Sequence, residues 1–89
     1  MIEKRLTIIN KLGLHARAAA KLVTLANQFT ADIRIQKDDR AVDGKSIMSV
    51  MMLAASKGTE IIVSATGEDA SQAVDAICAL VNNRFDEPE

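Results

Sequence analysis

An α+β fold, with a mostly antiparallel sheet covered on one face by helices, is what this 89-residue sequence predicts. Three observations carry it. Short segments of alternating apolar and polar residues are interleaved with segments of helical spacing. One pair of strands is joined by a turn too tight for a parallel crossover. The alternation itself leaves one sheet face wet, so the helices must pack on the other.

The elements follow in order along the chain. Ile2 to Asn10 alternates, with Ile2, Leu6 and Ile8 inward, Glu3, Arg5 and Thr7 outward, and Lys4 breaking the inward row near the end. Lys11 to Leu14 contains Gly13 and reads as a loop. From Ala16 to Gln28 the residues Ala19, Leu22, Val23, Ala26 and Phe29 recur at helical spacing in an Ala-rich context. Ala31, Ile33 and Ile35 alternate with Asp32, Arg34 and Gln36; Asp38-Asp39 turns the chain into a short strand over Arg40 to Val42. Ser46 to Ala54 returns to helical spacing, Ser56-Lys57-Gly58 breaks it, and Thr59 to Thr66 alternates with Ile61, Val63 and Ala65 inward. Asp69-Ala70-Ser71-Gln72 is close to a capping box and opens a last helix with Ala73, Val74, Ile77, Leu80 and Val81 as its apolar stripe. Asn82-Asn83 and Pro88 end it, and the acidic tail Asp86 to Glu89 is expected to fray. The order is β-α-β-β-α-β-α, with no linker or repeat, so residues 1–89 are expected to form a single two-layer domain.

Size and composition narrow the function. A chain this small buries only about 60–65% of its unfolded surface. It has little room for a deep, lidded active site, which favours a carrier, a binding module or a subunit over an autonomous enzyme. The net charge is −1 and Phe29 and Phe85 are the only aromatic residues. There is thus neither the basic stripe nor the stacking platform that nucleic-acid binding needs. Cys78 is the single cysteine, so no intrachain disulfide is available; its apolar helical setting reads as core, and a reducing, cytoplasmic location is expected. No apolar run is long enough to span a bilayer, and no signal peptide is read at the start.

His15 is the only histidine and stands where the Gly13 loop meets the first helix. A helix N-terminus presents unpaired N–H groups and a partial positive charge, and so favours an anion. Ser, Thr, Asp and Asn are the usual caps, so histidine is an uncommon choice. Neutral imidazole is a competent nucleophile towards an activated phosphoryl group, and Arg17, two residues on, is an always-charged donor for the same phosphate. Most lone histidines at helix starts are surface residues without chemistry, so the local pattern favours phosphoryl chemistry without settling it. A metal site has no second histidine and no partner cysteine to complete it.

The segment Asn10-Lys11-Leu12-Gly13-Leu14-His15-Ala16-Arg17 resembles the active-site signature of the HPr family, the histidine-containing phosphocarriers of the bacterial phosphoenolpyruvate-dependent phosphotransferase system. Lys45-Ser46-Ile47-Met48-Ser49-Val50-Met51 resembles that family's regulatory serine motif, and the likeness extends over essentially the whole chain. The resemblance implies an open-faced β-sandwich: a four-stranded antiparallel sheet with three helices on one face. It implies that enzyme I phosphorylates His15 at Nδ1, that Arg17 is the phosphate partner, that IIA proteins receive the phosphoryl group, and that no cofactor is needed. Ser46 corresponds to the serine modified by HPr kinase/phosphorylase. Where the family usually has proline after the arginine, this chain has Ala18, which implies a looser first turn with one more N–H donor near the imidazole.

Ser46 precedes an apolar helical run, so it reads equally as a plain helix cap or as a regulated phosphosite. Gly44-Lys45-Ser46 is not a P-loop, because Asp39 stands where that motif needs its first glycine. Ile47, Met48, Met51 and Met52 crowd one short helix that cannot bury them all. Ile47, Met48 and Met51 are therefore expected to be partly exposed and to form a docking patch near His15. A monomer is expected, since a carrier offers one face to successive partners. The rival readings are a nitrogen-branch regulatory paralogue within the family, a binding module without histidine chemistry, and a small ferredoxin-like domain that binds a nucleic acid or a metabolite.

Overall fold

The alternating segments resolve into strands and the periodic ones into helices in a computed structural model that describes all of residues Met1–Glu89. The order is β1 (Ile2–Thr7), α1 (Ala16–Ala26), β2 (Asp32–Lys37), β3 (Arg40–Asp43), α2 (Ile47–Met52), β4 (Glu60–Thr66) and α3 (Ala70–Asn82), followed by a single 3-10 turn over Arg84–Asp86. The four strands form one antiparallel sheet in the spatial order β1-β4-β2-β3. The sequence thus predicts the four strands and three helices but not the 3-10 turn in the tail, and the ends differ by a few residues because caps and turns settle them.

Register explains which side chains meet. Leu6 lies opposite Ile61, Val63 lies between Lys4 and Ile35, and Ala65 lies between Ile2 and Ile33. Ile33, Ile35, Ile61 and Val63 are fully buried and form the sheet's contribution to a core of 23 buried residues. Helix α3 packs across β1 and β4 through Ala73, Val74, Ile77 and Val81, and α1 packs between α2 and α3 through Ala18, Ala19 and Leu22. Ile2, expected inward, stays 42% exposed because it lies at the end of an edge strand. Cys78 is buried among the core residues, and burial pushes its thiol pKa up, so it stays a protonated apolar side chain.

Two expectations at the third helix fail for the same physical reason, a better partner elsewhere. Asp69 does not cap α3 with its side chain. Its two carboxylate oxygens accept instead from the backbone N–H groups of Thr30 and Ala31, each at 2.8 Å, tying the start of α3 to the entrance of β2. The Thr30 bond is the main cause of the lowered Asp69 pKa. Gly67 permits this close approach, since a Cβ there would lie 2.9 Å from Ala31 Cα.

The acidic tail is also not frayed. Phe85 is fully buried, and Arg84, Phe85 and Asp86 all hold left-handed backbone angles, with φ of 56°, 53° and 63°. Each such non-glycine residue costs on the order of 1–2 kcal/mol, a cost that burial of the Phe85 ring, worth about 1.5–3 kcal/mol, offsets in part. Lys21 Nζ donates to Phe85 O at 2.9 Å, and the Lys11 N–H donates to Glu89 O at 2.9 Å, so the tail is pinned on both sides of the first helix start.

Candidate functional site at the start of the first helix

Gly13 sets the approach to the site. Its φ is +68°, and a Cβ would lie 2.6 Å from Ala55 O, so only glycine fits without displacement. The Leu14 N–H donates to the same Ala55 oxygen at 2.8 Å, which fixes the loop against the segment after α2. His15 follows as the residue preceding α1, with φ −72° and ψ 178°, and its side chain makes no capping bond.

The first turn is therefore open. Ala19 N–H makes the first helical bond, to His15 O at 2.8 Å, while the N–H groups of Ala16, Arg17 and Ala18 find no acceptor within the protein. No acidic residue lies in that turn, so these donors and the positive end of the helix dipole are free to meet an anion. Ala18 does leave an extra N–H where proline would have none, although its methyl is fully buried. Arg17 is exposed, and His15 and Arg17 share a surface depression of about 380 Å³ with Lys11 and the tail residues Glu87, Pro88 and Glu89.

The tail supplies what sequence reasoning missed. His15 Nε2 lies 2.5 Å from Glu87 Oε2, and Asn10 Nδ2 donates to Glu87 Oε1 at 3.0 Å. The bond from Asn10 is the main cause that holds the Glu87 carboxyl below its usual pKa, with the His15 bond and the charge of Arg17 acting in the same direction. His15 keeps 26% of its side chain exposed and Glu87 only 13%. The available signals were faint: Phe85, one of two aromatic residues, in an otherwise polar tail, and Asn10 continuing the inward parity of Leu6 and Ile8.

Ser46 precedes α2, where its Oγ accepts from the Ser49 N–H at 3.3 Å, and it is half-buried. Along α2, Val50 is buried, whereas Ile47, Met48, Met51 and Met52 are exposed by 39%, 68%, 39% and 58%. Leu12, in the loop before His15, is exposed as well. No group of histidine, cysteine, aspartate and glutamate side chains assembles a metal site. No helix is long and apolar enough to cross a membrane.

The chain is also similar over its length to known proteins. The family described as "PTS-HPr: PTS HPr component phosphorylation site" matches residues 2–83. The Phosphocarrier protein HPr of Pseudomonas putida is 54% identical over 90 residues, covering 100% of both chains. The Phosphocarrier protein NPr of Shewanella violacea is 46% identical over 86 residues, covering 97% of this chain and 94% of that one. The crystal structure of HPr-C-His from Thermoanaerobacter tengcongensis superposes with a TM-score of 0.97 at 40% identity, covering 100% of both chains. The open-faced sandwich, the open first turn behind His15 and these full-length likenesses together place the chain in the HPr family of phosphocarrier proteins of the phosphotransferase system.

Proposed function

We propose that residues 1–89 act as one phosphocarrier unit in which His15 takes a phosphoryl group from phospho-enzyme I and passes it to a IIA protein. The observation that carries this reading is the open first turn of α1. His15 is partly exposed beside three N–H groups that have no protein acceptor. The incoming phosphorus is attacked by Nδ1, the ring nitrogen engaged by no protein group. The phosphoryl oxygens then accept from the first-turn N–H groups and from Arg17, which lines the same depression. The protein contributes position and charge; the phosphoryl group leaves as it came, and there is no net turnover.

Ile47, Met48 and Met51 form the docking face in this reading. They are exposed, apolar and flexible, on a helix whose following segment is bonded to the His15 loop. Ser46 is the regulatory phosphosite: a phosphate there would replace the hydroxyl cap and place negative charge on the rim of that docking face. The chain works as a monomer in the cytoplasm, since one face must serve donor and acceptor in turn.

Incubation with phosphoenolpyruvate and enzyme I tests the reading. Wild type is expected to gain an acid-labile adduct and His15→Ala none. An unlabelled wild type, or an undiminished label on His15→Ala, overturns it. The likeness to an NPr favours one second reading, service in a nitrogen branch. Competing sugar-branch and nitrogen-branch enzyme I in the same assay decides between them by initial rate.

A further inference from the structure

The tail contact has a consequence for the chemistry of His15. Glu87 is held as a carboxylate by the Asn10 amide, so it can only accept hydrogen bonds. The nitrogen facing it at 2.5 Å, His15 Nε2, must then be the donor. A neutral imidazole carries one proton. With that proton fixed on Nε2, Nδ1 bears the lone pair and points no hydrogen at an incoming phosphorus.

We infer that Glu87 is a positioning residue that selects the Nδ1-reactive tautomer of His15, with Asn10 as the group that orients Glu87. This rests on the phosphocarrier reading above. In the transfer step, the Nδ1 lone pair forms the new N–P bond, and the bond from phosphorus to the donor breaks, its electron pair leaving with the donor. The Nε2 proton stays where it was, and the ring becomes a phosphoimidazolium whose positive charge faces the Glu87 carboxylate.

Asn10 gives independent support. It is fully buried, and its Nδ2 serves two acceptors, Gly13 O at 2.8 Å and Glu87 Oε1 at 3.0 Å, while its Oδ1 has no partner. One buried amide nitrogen thus holds both the loop before His15 and the carboxylate behind it. The left-handed turn at Arg84–Asp86 and the buried Phe85 ring deliver Glu87 to this position from 72 residues away in sequence.

The amide partner makes the test sharp. In Glu87→Gln, Asn10 still offers a donor, so the new carboxamide turns its oxygen to Asn10 and its NH2 to His15. Nε2 must then accept, and the proton moves to Nδ1. Glu87→Gln is therefore expected to be worse than Glu87→Ala, the reverse of what loss of a tail contact alone would give. Phosphoramidate serves as the phosphoryl donor, because it has no docking surface for the tail to disturb; its P–N bond breaks and ammonia leaves with a proton from solvent. Phosphorylation of Glu87→Gln should slow by on the order of 10- to 100-fold, the range in which a partner that fixes a histidine's tautomer contributes, and Glu87→Ala by less than about 10-fold. Nitrogen NMR of His15 in the full chain reports the tautomer directly: Nε2–H in wild type, Nδ1–H in Glu87→Gln and a mixture in Glu87→Ala.

A wild type with the Nδ1–H form predominant overturns the inference. So does a Glu87→Gln protein that is phosphorylated no more slowly than Glu87→Ala. Wild type that takes up no phosphoryl group from either phosphoramidate or enzyme I overturns the phosphocarrier reading, and this inference with it. Normal uptake with an unaltered tautomer in Glu87→Gln overturns the inference alone.

Discussion

His15 and Ser46 each occupy the residue before a helix, and both have extended backbone angles, φ −72°, ψ 178° and φ −111°, ψ 113°. Ser46 turns its hydroxyl inward and accepts from the Ser49 N–H. His15 turns its ring away from its own helix towards Glu87. The start of α2 spends its side chain on local stability, while the start of α1 leaves three N–H groups without a partner. An N-cap bond contributes about 0.5–2 kcal/mol. The contrast shows that the chain has the means to cap a helix and leaves α1 uncapped where an anion can bind.

The comparison can be broken most severely at His15 itself. His15→Ala and His15→Ser should both lose phosphoryl uptake completely in the enzyme I assay. His15→Ser should nevertheless be the more stable of the two by about 0.5–2 kcal/mol in urea unfolding, because serine restores the missing cap. Equal stability of the two variants would mean that the first turn of α1 has no use for a cap.

Phe85→Ala comes next. Removing a fully buried ring should cost about 3–5 kcal/mol. It should also release the tail that now occupies the His15 side chain, so the Lys11 amide, bonded to Glu89 O, should lose hydrogen-exchange protection early. Protection of Lys11 equal to that of the core strands would show that the tail is held without its anchor.

Ser46→Ala sharpens the other side of the comparison, with an expected loss of about 0.5–2 kcal/mol and no change in uptake at His15. The smallest effect is expected from Ala18→Pro, which removes one of the three open N–H groups at the site. Loss of one donor should shorten the phosphohistidine half-life roughly 2- to 10-fold, the worth of a single hydrogen bond. An unchanged half-life and transfer rate would mean that the Ala18 N–H does not reach the phosphate.

Much of this was readable along the chain, and the reason is locality. Leu6, Ile33, Ile35, Ile61 and Val63 announce their strand faces by alternation, because side chains on a strand take opposite sides in turn. The place of His15 before α1 and of Ser46 before α2 follows from cap and periodicity rules that involve only near neighbours. The exposure of Met48 and Met51 follows from simple crowding on a six-residue helix.

Where a side chain had a choice of partners, sequence could not decide. Asp69 had the spacing of a helix cap, yet its carboxylate bonds to Thr30 and Ala31, which the fold brings beside it. The tail read as acidic and free, and the fold instead seats Phe85 in the core and carries Glu87 to the imidazole. The sequence by itself determined the strands, the helices, and a histidine at an open helix start, because those depend on periodicity and local backbone hydrogen bonding. Only the tertiary structure decided which ring nitrogen of His15 is occupied. That choice depends on a contact across 72 residues, and no local pattern encodes a partner that packing must first deliver.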